Sequence, residues 1–256
     1  METALTITSR ANPRFKSIKT LIAAGGAKRT HTLLLGDKLI EAWADRAKTT
    51  VCERFRPITW LRLEGVGIHP LERLRAPETL VLGEALMRDL AHAGSPPEHA
   101  LLVELGPEPS GPLPARVIVP WGIQDPGNLG AVLRSAAAFG FQEALLGPGC
   151  TDPFSAKALR GSMGAAFLLP IRRCEKLEPD AGSWFALHRA KRSQRLDRAD
   201  LTEPVRILVG NEGHGWKDVD LPPAVRFLEI PVLGVESLNA AVAAGIACYE
   251  VERRAR

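Results

Sequence analysis

The ten residues from Gly106 to Ala115, GPEPSGPLPA, constrain the fold more than any other stretch of this 256-residue chain. They hold four prolines and two glycines. Proline lacks an amide donor and locks φ, so such a stretch sustains neither a helix nor a central strand. We expect a linker at 106–115 between one domain at 1–105 and a second at 116–256. Each part is long enough to bury a core of its own.

The second part alternates strand and helix. Arg116–Pro120 (RVIVP) is rich in β-branched residues and reads as a strand. A DPGN turn at Asp125–Asn128 and a helix from about Leu129 to Phe139 follow. Glu143–Leu146, Val205–Val209 and Arg226–Ile230 read as further strands. Glu236 or Ser237 opens a last helix running to about Arg253. Strands alternating with helices predict an α/β fold with a parallel sheet covered on both faces. The first part reads as a smaller α/β domain. It has helices at Arg14–Ala24, from Asp37 as cap, and at Glu84–Ala93. Its strands are expected at Thr32–Leu35, Thr59–Leu63 and Ala100–Glu104.

Composition excludes several classes. A hydrophobic fraction of 45% and a charged fraction of 24% are those of a globular protein. No run of about 18 uncharged apolar residues is present, so no membrane span is expected. Residues 1–20 lack the apolar run of a signal peptide, and the expected location is cytoplasmic. Cys52, Cys150, Cys174 and Cys248 have neither metal-ligand nor redox spacing and are read as reduced. The histidines form no HxxxH pair and no Cys/His cluster, so no metal is expected.

The net charge is only +4, but it is unevenly spread. Arg10, Arg14, Lys16, Lys19, Lys28 and Arg29 face a single Glu2 in residues 1–30. Arg189, Lys191, Arg192, Arg195 and Arg198 face a single Asp197 in residues 188–198. Each cluster suits a polyanion, since every neutralised phosphate releases counterions, or else is a solvated basic face.

Three loops at strand ends carry the candidate chemistry, because ligands of open α/β sheets bind there. The first is DPGNLGAVLRSA, Asp125–Ala136. Its Asn128 is placed to cap the helix or to bind substrate. Its Arg134 interrupts an otherwise apolar helix. The second is LVGNEGHGW, Leu208–Trp216. Its glycines expose backbone amides beside Asn211, and Glu212 serves either to bind a hydroxyl or to hold the loop. The third is IPVLGVESLN, Ile230–Asn239, followed by a helix of small residues. Its Ser237 is expected to cap that helix. No GxSxG, P-loop, GxGxxG or Cys/His couple is present.

Taken together, these segments resemble the SpoU/TrmH branch of the SPOUT methyltransferases. DPGNLGAVLRSA matches the family's first motif, with Asp125 where Asn is commoner. LVGNEGHG matches the second, and IPVLGVESLNAAVAAGI the third, with Val232 replacing the usual Met. RGSMGAAFLLP, Arg160–Pro170, matches the Arg-x-Ser-x-Gly stretch between them. The resemblance covers residues 116–252. The first part is similar to the accessory RNA-binding domain of this family, of the ribosomal protein L30e type. That match rests on Ser9, Asn12-Pro13, Lys16 and HTLLLGDKLIEA.

The resemblance implies a SPOUT domain with a trefoil knot and a homodimer with the site at the interface. It implies transfer of a methyl group from S-adenosylmethionine to a ribose 2′-hydroxyl of RNA, rRNA rather than tRNA. Gly210, Asn211, Ile230 and Leu238 would hold the cofactor. Arg134, Asn128, Glu212, Ser237 and Asn239 would form the ribose and phosphate side. Arg10, Arg14, Lys16, Lys19 and Arg160 would contact RNA. A guanidinium keeps its proton, so Arg134 is expected to pair with phosphate and polarise the hydroxyl rather than act as a base. Two other readings are a non-catalytic RNA-binding protein and a SPOUT base methyltransferase. Cofactor uptake separates the first from the enzyme, and nuclease resistance of the methylated linkage separates the second.

Overall fold

The computed structural model describes residues 5–46, 54–74, 78–91, 95–190, 192–211, 213, 215–217 and 219–256. The chain packs as two compact units, Met1–Pro107 with Phe154–Arg160, and Glu108–Pro153 with Gly161–Arg256. The break at Pro107 falls inside the proline-rich stretch. Phe154–Arg160, assigned to the second domain on sequence, packs with the first unit. There the Thr32 hydroxyl donates to the Phe154 carbonyl at 2.7 Å, and the Phe55 and Phe154 rings lie 5.8 Å apart.

In the first unit the chain forms β1 (Leu5–Ile7), α1 (Pro13–Ala23), β2 (His31–Leu35), α2 (Asp37–Arg46), β3 (Phe55–Leu63), β4 (Glu78–Leu82), α3 (Glu84–Ala91) and β5 (His99–Leu105). The sheet order is β1-β4-β3-β5-β2. β4 is parallel to β1 and β3, and β5 is antiparallel to β3 and β2. Ile7, Phe15, Ile18, Leu80, Leu82 and Met87 form the core against one face. Sequence did not anticipate β1 or β4. Asp37, expected as a cap, is the first residue of α2. Its carboxylate instead meets His99 Nδ1 at 2.8 Å, while Nε2 of the same ring meets the Gly67 carbonyl at 3.1 Å. Asp37 thus converges with the adjacent Glu98 and His99, which are distant from it in sequence.

The second unit contains β6 (Arg116–Pro120), α4 (Pro126–Ala138), β7 (Glu143–Leu146), the end of α5 (Ala156–Ser162), β8 (Ile171–Arg173), β9 (Ser183–Leu187), β10 (Gln194–Arg195), β11 (Val205–Val209), β12 (Val225–Glu229) and α6 (Ala240–Ala255). The order is β10-β12-β9-β11-β6-β7-β8, with every pairing parallel. This is the α/β fold with a parallel sheet that the sequence led us to expect. Both faces are covered, which is why the inner strands read as continuous apolar runs. Strands β8, β9 and β10 were not anticipated.

Both candidate-site helices start elsewhere than expected. The DPGN stretch is not a turn before α4 but its first turn. Asp125 accepts from the Asn128 amide at 2.9 Å as N-cap, and Pro126 occupies N1, where its missing donor costs nothing. α6 opens at Ala240 with Asn239 as cap, not Ser237. Glycine allows α4 and α5 to touch, since a Cβ on Gly161 would stand 3.0 Å from the Gly127 carbonyl oxygen. No helix among the described residues is long and apolar enough to cross a membrane.

One charge is buried in the centre of the parallel sheet. Arg206 on β11 is 1% exposed. Its guanidinium donates to Asp180 at 2.6 Å and to the Ala115 carbonyl at 2.9 Å, tying the end of the proline-rich stretch to the sheet. Burial pushes the Asp180 carboxyl upward. Hydrogen bonds from Arg206, Trp184 and the Gly182 amide outweigh this and hold it below its ordinary value. Asp180 is 37% exposed, so removing it strands the buried Arg206 charge at a screened cost of about 2 kcal/mol. Asp180→Ala should therefore lower the unfolding free energy from urea titration by that much at pH 7. An Arg206→Met, Asp180→Asn double variant removes the charge instead and should recover at least half of the loss. A depressed carboxyl contributes stability above its unfolded pKa and loses it as pH falls, so the gap between wild type and Asp180→Ala should close below about pH 4. A pH-independent gap would show that the pair is not its cause.

Candidate active site

Parallel strands deliver all their carboxyl ends to one edge of a sheet. At that edge the segments after β9, β11 and β12 enclose a cleft of about 500 Å³. Leu187, His188 and Arg189 line it from β9. Val209, Gly210, Asn211, Gly213, Gly215 and Lys217 line it from β11, and Leu228, Glu229, Ile230, Val232, Glu236, Ser237 and Leu238 from β12. Ala240 and Ala243 close it from the start of α6. The lining is an apolar floor with a few polar and charged groups, the usual make-up of a small-molecule pocket.

The loop after β11 is shaped by Asn211. Its side-chain nitrogen donates to the Gly122 carbonyl at 2.8 Å, and its side-chain oxygen accepts from the Gly213 amide at 2.8 Å. Its backbone pairs with Gly215. The side chain expected on the cofactor thus organises the loop, while the residue still borders the cleft. Gly210 is required by close approach. A Cβ there would lie 2.9 Å from the Trp216 ring, which is itself held by donation to the Leu187 carbonyl at 3.1 Å.

The loop after β12 ends on Asn239. Its side-chain oxygen accepts from the Ala241 and Val242 amides at 2.9 and 3.3 Å, capping α6. Its side-chain nitrogen donates to the Asn128 side-chain oxygen at 3.1 Å, on α4. Two asparagines that are 111 positions apart therefore join the amino-terminal ends of α4 and α6. The two helices also pack along their length, with Gly245 against Ser135 and the Phe139 and Tyr249 rings 5.7 Å apart.

Of the expected residues, Gly210, Asn211, Ile230, Ser237 and Leu238 line one cleft, and Asn128 and Asn239 meet beside α6. Ser237 is exposed and free of the capping role expected for it. Arg134 is exposed on α4, with no hydrogen-bond or ion-pair partner among the described residues. Glu212 lies outside the described residues. In the first unit, Arg10 and Lys19 pair with Asp89 at 3.6 and 3.1 Å, and Arg14 pairs with Glu78. Lys16 is exposed, as is Arg160 at the end of α5. Sequence missed His188, Arg189, Lys217 and Glu229 as cleft residues. The signal would have been strand β9, whose SWFAL has neither alternation nor β-branching. The Cys150 thiol donates to the Pro120 carbonyl at 3.3 Å. Burial pushes Cys174 up to about 11 and Cys248 further still, and Cys52 lies outside the described residues.

Residues 115–249 match the SpoU rRNA Methylase family. An uncharacterized tRNA/rRNA methyltransferase of Synechocystis sp. is 32% identical over 97% of this chain and 93% of its own length. Mycobacterial relatives described in the same words are longer, and the chain spans 64% of one of them, from Mycolicibacterium paratuberculosis, at 34% identity over 74% of this chain. A crystal structure of an RNA 2′-O ribose methyltransferase aligns over 98% of this chain and 99% of its own, with TM-score 0.72 and 27% identity. The AdoMet-bound rRNA methyltransferase of Sinorhizobium meliloti aligns over 98% of both chains with TM-score 0.74, and at 24% identity it shows the shared fold.

The double role of Asn239 separates into two measurable parts. Asn239→Ala removes the cap and should cost about 1 kcal/mol in urea unfolding. Asn239→Asp keeps a capping oxygen at a helix start that favours negative charge, so its stability should stay within about 0.5 kcal/mol of wild type. If both variants lose the same stability, the bond to Asn128 and not the cap is what matters.

Proposed function

The chain belongs to the SpoU rRNA methylase family, and from that premise we propose that it transfers a methyl group from S-adenosylmethionine to a ribose 2′-hydroxyl of RNA, rRNA rather than tRNA. The observation that carries this reading is the cleft itself, whose lining meets the joined starts of α4 and α6 at Ala240. Its volume of about 500 Å³ suits a ligand the size of a nucleoside with an amino-acid tail. Val209, Leu228, Ile230 and Leu238 offer apolar surface to a base. Glu229 and Glu236 offer acceptors to hydroxyl and ammonium groups. The missing side chain at Gly210 lets the Trp216 ring pack where a Cβ would collide with it, beside the cleft.

Bound S-adenosylmethionine supplies a methyl carbon on a positively charged sulfur. What the protein adds is placement of the 2′-oxygen in line with that carbon, and a route for the hydroxyl proton. Asn128 and Asn239 hold each other and the two helix starts, which fixes the wall on which ribose is received. Arg134 is exposed and uncommitted, so its planar fork is available to the phosphate next to the target ribose. The proton then passes to that phosphate or to water. The SLN sequence at Ser237–Asn239 favours ribose over a base as acceptor.

We place the same reading on the assembly. Val242, Ile246 and Tyr249 are 51, 38 and 52% exposed at helical spacing on α6, an apolar stripe suited to a second copy. The trefoil knot, the L30e-type character of the first unit and a cytoplasmic location belong to this proposal too. Ile246→Glu should shift the protein to a monomer in sedimentation equilibrium, and an unchanged dimer would move the interface elsewhere.

The function is tested by calorimetry with S-adenosylmethionine and by radiolabelled methyl transfer to large-subunit rRNA and to tRNA. Arg134→Ala should reduce transfer by at least 100-fold while cofactor affinity stays within a few-fold. Arg134→Lys should also be severely impaired, because an ammonium cannot form the bidentate pair. Wild-type activity in the Lys variant would show that charge alone suffices. Absence of cofactor uptake by the wild type would leave a non-catalytic RNA-binding protein, and a methylated linkage open to nuclease would indicate a base acceptor.

A further inference from the structure

The two basic clusters of the sequence differ in the structure. In the first unit Arg10 and Lys19 share the Asp89 carboxylate and Arg14 faces that of Glu78, which leaves Lys16 and Lys28 exposed without an acidic partner among the described residues. Surface pairs of this kind add little stability, but each carboxylate cancels the field that a phosphate would feel. The cluster after β9 is arranged otherwise. From residue 188 to 198 the charges are five positive and one negative, 5 − 1 = +4. The negative one, Asp197, is taken by Arg195 at 2.8 Å. Arg189 and Arg192 are exposed and have no acidic partner among the described residues, nor does Lys217 across the cleft.

This segment has a built shape. Leu187 at the end of β9 and Gln194 at the start of β10 both pair with Leu228 of β12, so the two strands flank β12 at the same level. The Ser193 hydroxyl donates to the His188 carbonyl at 2.8 Å and accepts from the Ala190 amide at 2.8 Å. The Ser193 amide donates to the Ala190 carbonyl at 3.1 Å. Arg192 is thereby carried on a closed turn, three residues from Arg189 at the cleft.

We propose that Arg189, Arg192 and Lys217 form a phosphate clamp at the rim of the cleft, gripping the RNA backbone beside the target nucleotide, and that this clamp rather than the amino-terminal cations supplies the main electrostatic contact. The clamp rests on the RNA-methyltransferase reading and adds where the RNA is held. Glu229 and Glu236 line the same cleft, so phosphate is held at the rim by exposed donors and kept from the floor.

The test uses the full-length protein and a large-subunit rRNA transcript, with filter binding between 50 and 200 mM salt. Each lost phosphate contact lowers the slope of log affinity against log salt by about 0.7 to 0.9. Arg189→Gln/Arg192→Gln/Lys217→Gln should flatten the slope by about two and weaken binding at least tenfold at 100 mM salt. Arg192→Gln alone, at an exposed turn, should lose about a third of that slope change and leave S-adenosylmethionine affinity within a few-fold. Arg14→Gln/Lys16→Gln/Lys28→Gln should weaken RNA binding less than threefold. The clamp is overturned if the amino-terminal triple variant loses as much as the rim variant, or if the rim variant keeps the wild-type slope. Either result leaves the methyltransferase reading intact. Failure of the wild type to take up S-adenosylmethionine or to bind RNA sinks that reading itself, and the clamp with it.

Discussion

The side chain of Asn239 is the contact on which the candidate site depends. Residues 231–239 are mostly exposed and hang between the end of β12 and the start of α6. A loop of that length costs conformational entropy to hold in one shape, and few buried contacts repay it. Asn239 fixes its far end with both ends of one amide. The oxygen satisfies two otherwise orphaned helix amides, and the nitrogen reaches Asn128 on the neighbouring helix. An aspartate there could cap but not donate, and a serine could not span both partners. The amide is the side chain that does both, which explains asparagine at this position on stereochemical grounds.

The rest of the architecture brings three loops to that contact. Parallel pairing sends β6, β9, β11 and β12 out through the same edge. Chain order along the sheet is not sequential, since β11 is inserted between β9 and β6, and β12 between β9 and β10. Segments distant in sequence therefore become neighbours at the edge, and Asn211 fastens one of them to the Gly122 carbonyl after β6. Below the edge the inner strands are anchored by Arg206 and Asp180. A buried ion pair in a sheet centre is weak evidence of stability. Here the guanidinium also binds the Ala115 carbonyl, so the pair sets where the proline-rich stretch joins β6.

Legibility in the sequence followed local information. Strands β6, β7 and β11 are apolar runs between clear breakers, and their bounds were readable to the residue. Helix α4 was placed three residues late because DPGN reads as a turn. The same residues make a cap followed by a proline at N1, and local sequence does not separate the two. Ser237 was preferred over Asn239 as a cap for the same reason, since both types cap well and only the chain's direction decides. β9 was not readable, and with it went His188 and Arg189. Asp37 and His99 meet across 62 positions, and so do not register as a spacing. What the motifs could not convey is which members of a basic cluster are already paired, because pairing is a property of tertiary structure.

That last point separates paired from unpaired cations in this protein. At the end of α6, Arg253 and Arg254 hold Glu250, and the Arg253 bond leads in lowering its carboxyl to about 2. Arg116 bridges Glu203 and Glu252, and Arg172 meets Glu143. Each of these arginines carries a carboxylate supplied by the fold, and its charge is spent within the protein. Arg134, Arg189 and Arg192 have no such partner among the described residues. An arginine is expensive to order and has five donors to satisfy. An exposed arginine without a carboxylate is hydrated, and its donors stay available to an anion from outside. For a SpoU/TrmH-type RNA methyltransferase, the anion available in every substrate is the phosphate between nucleotides. It repeats at fixed spacing, so guanidinium groups that bind it can position a long chain without reading its sequence.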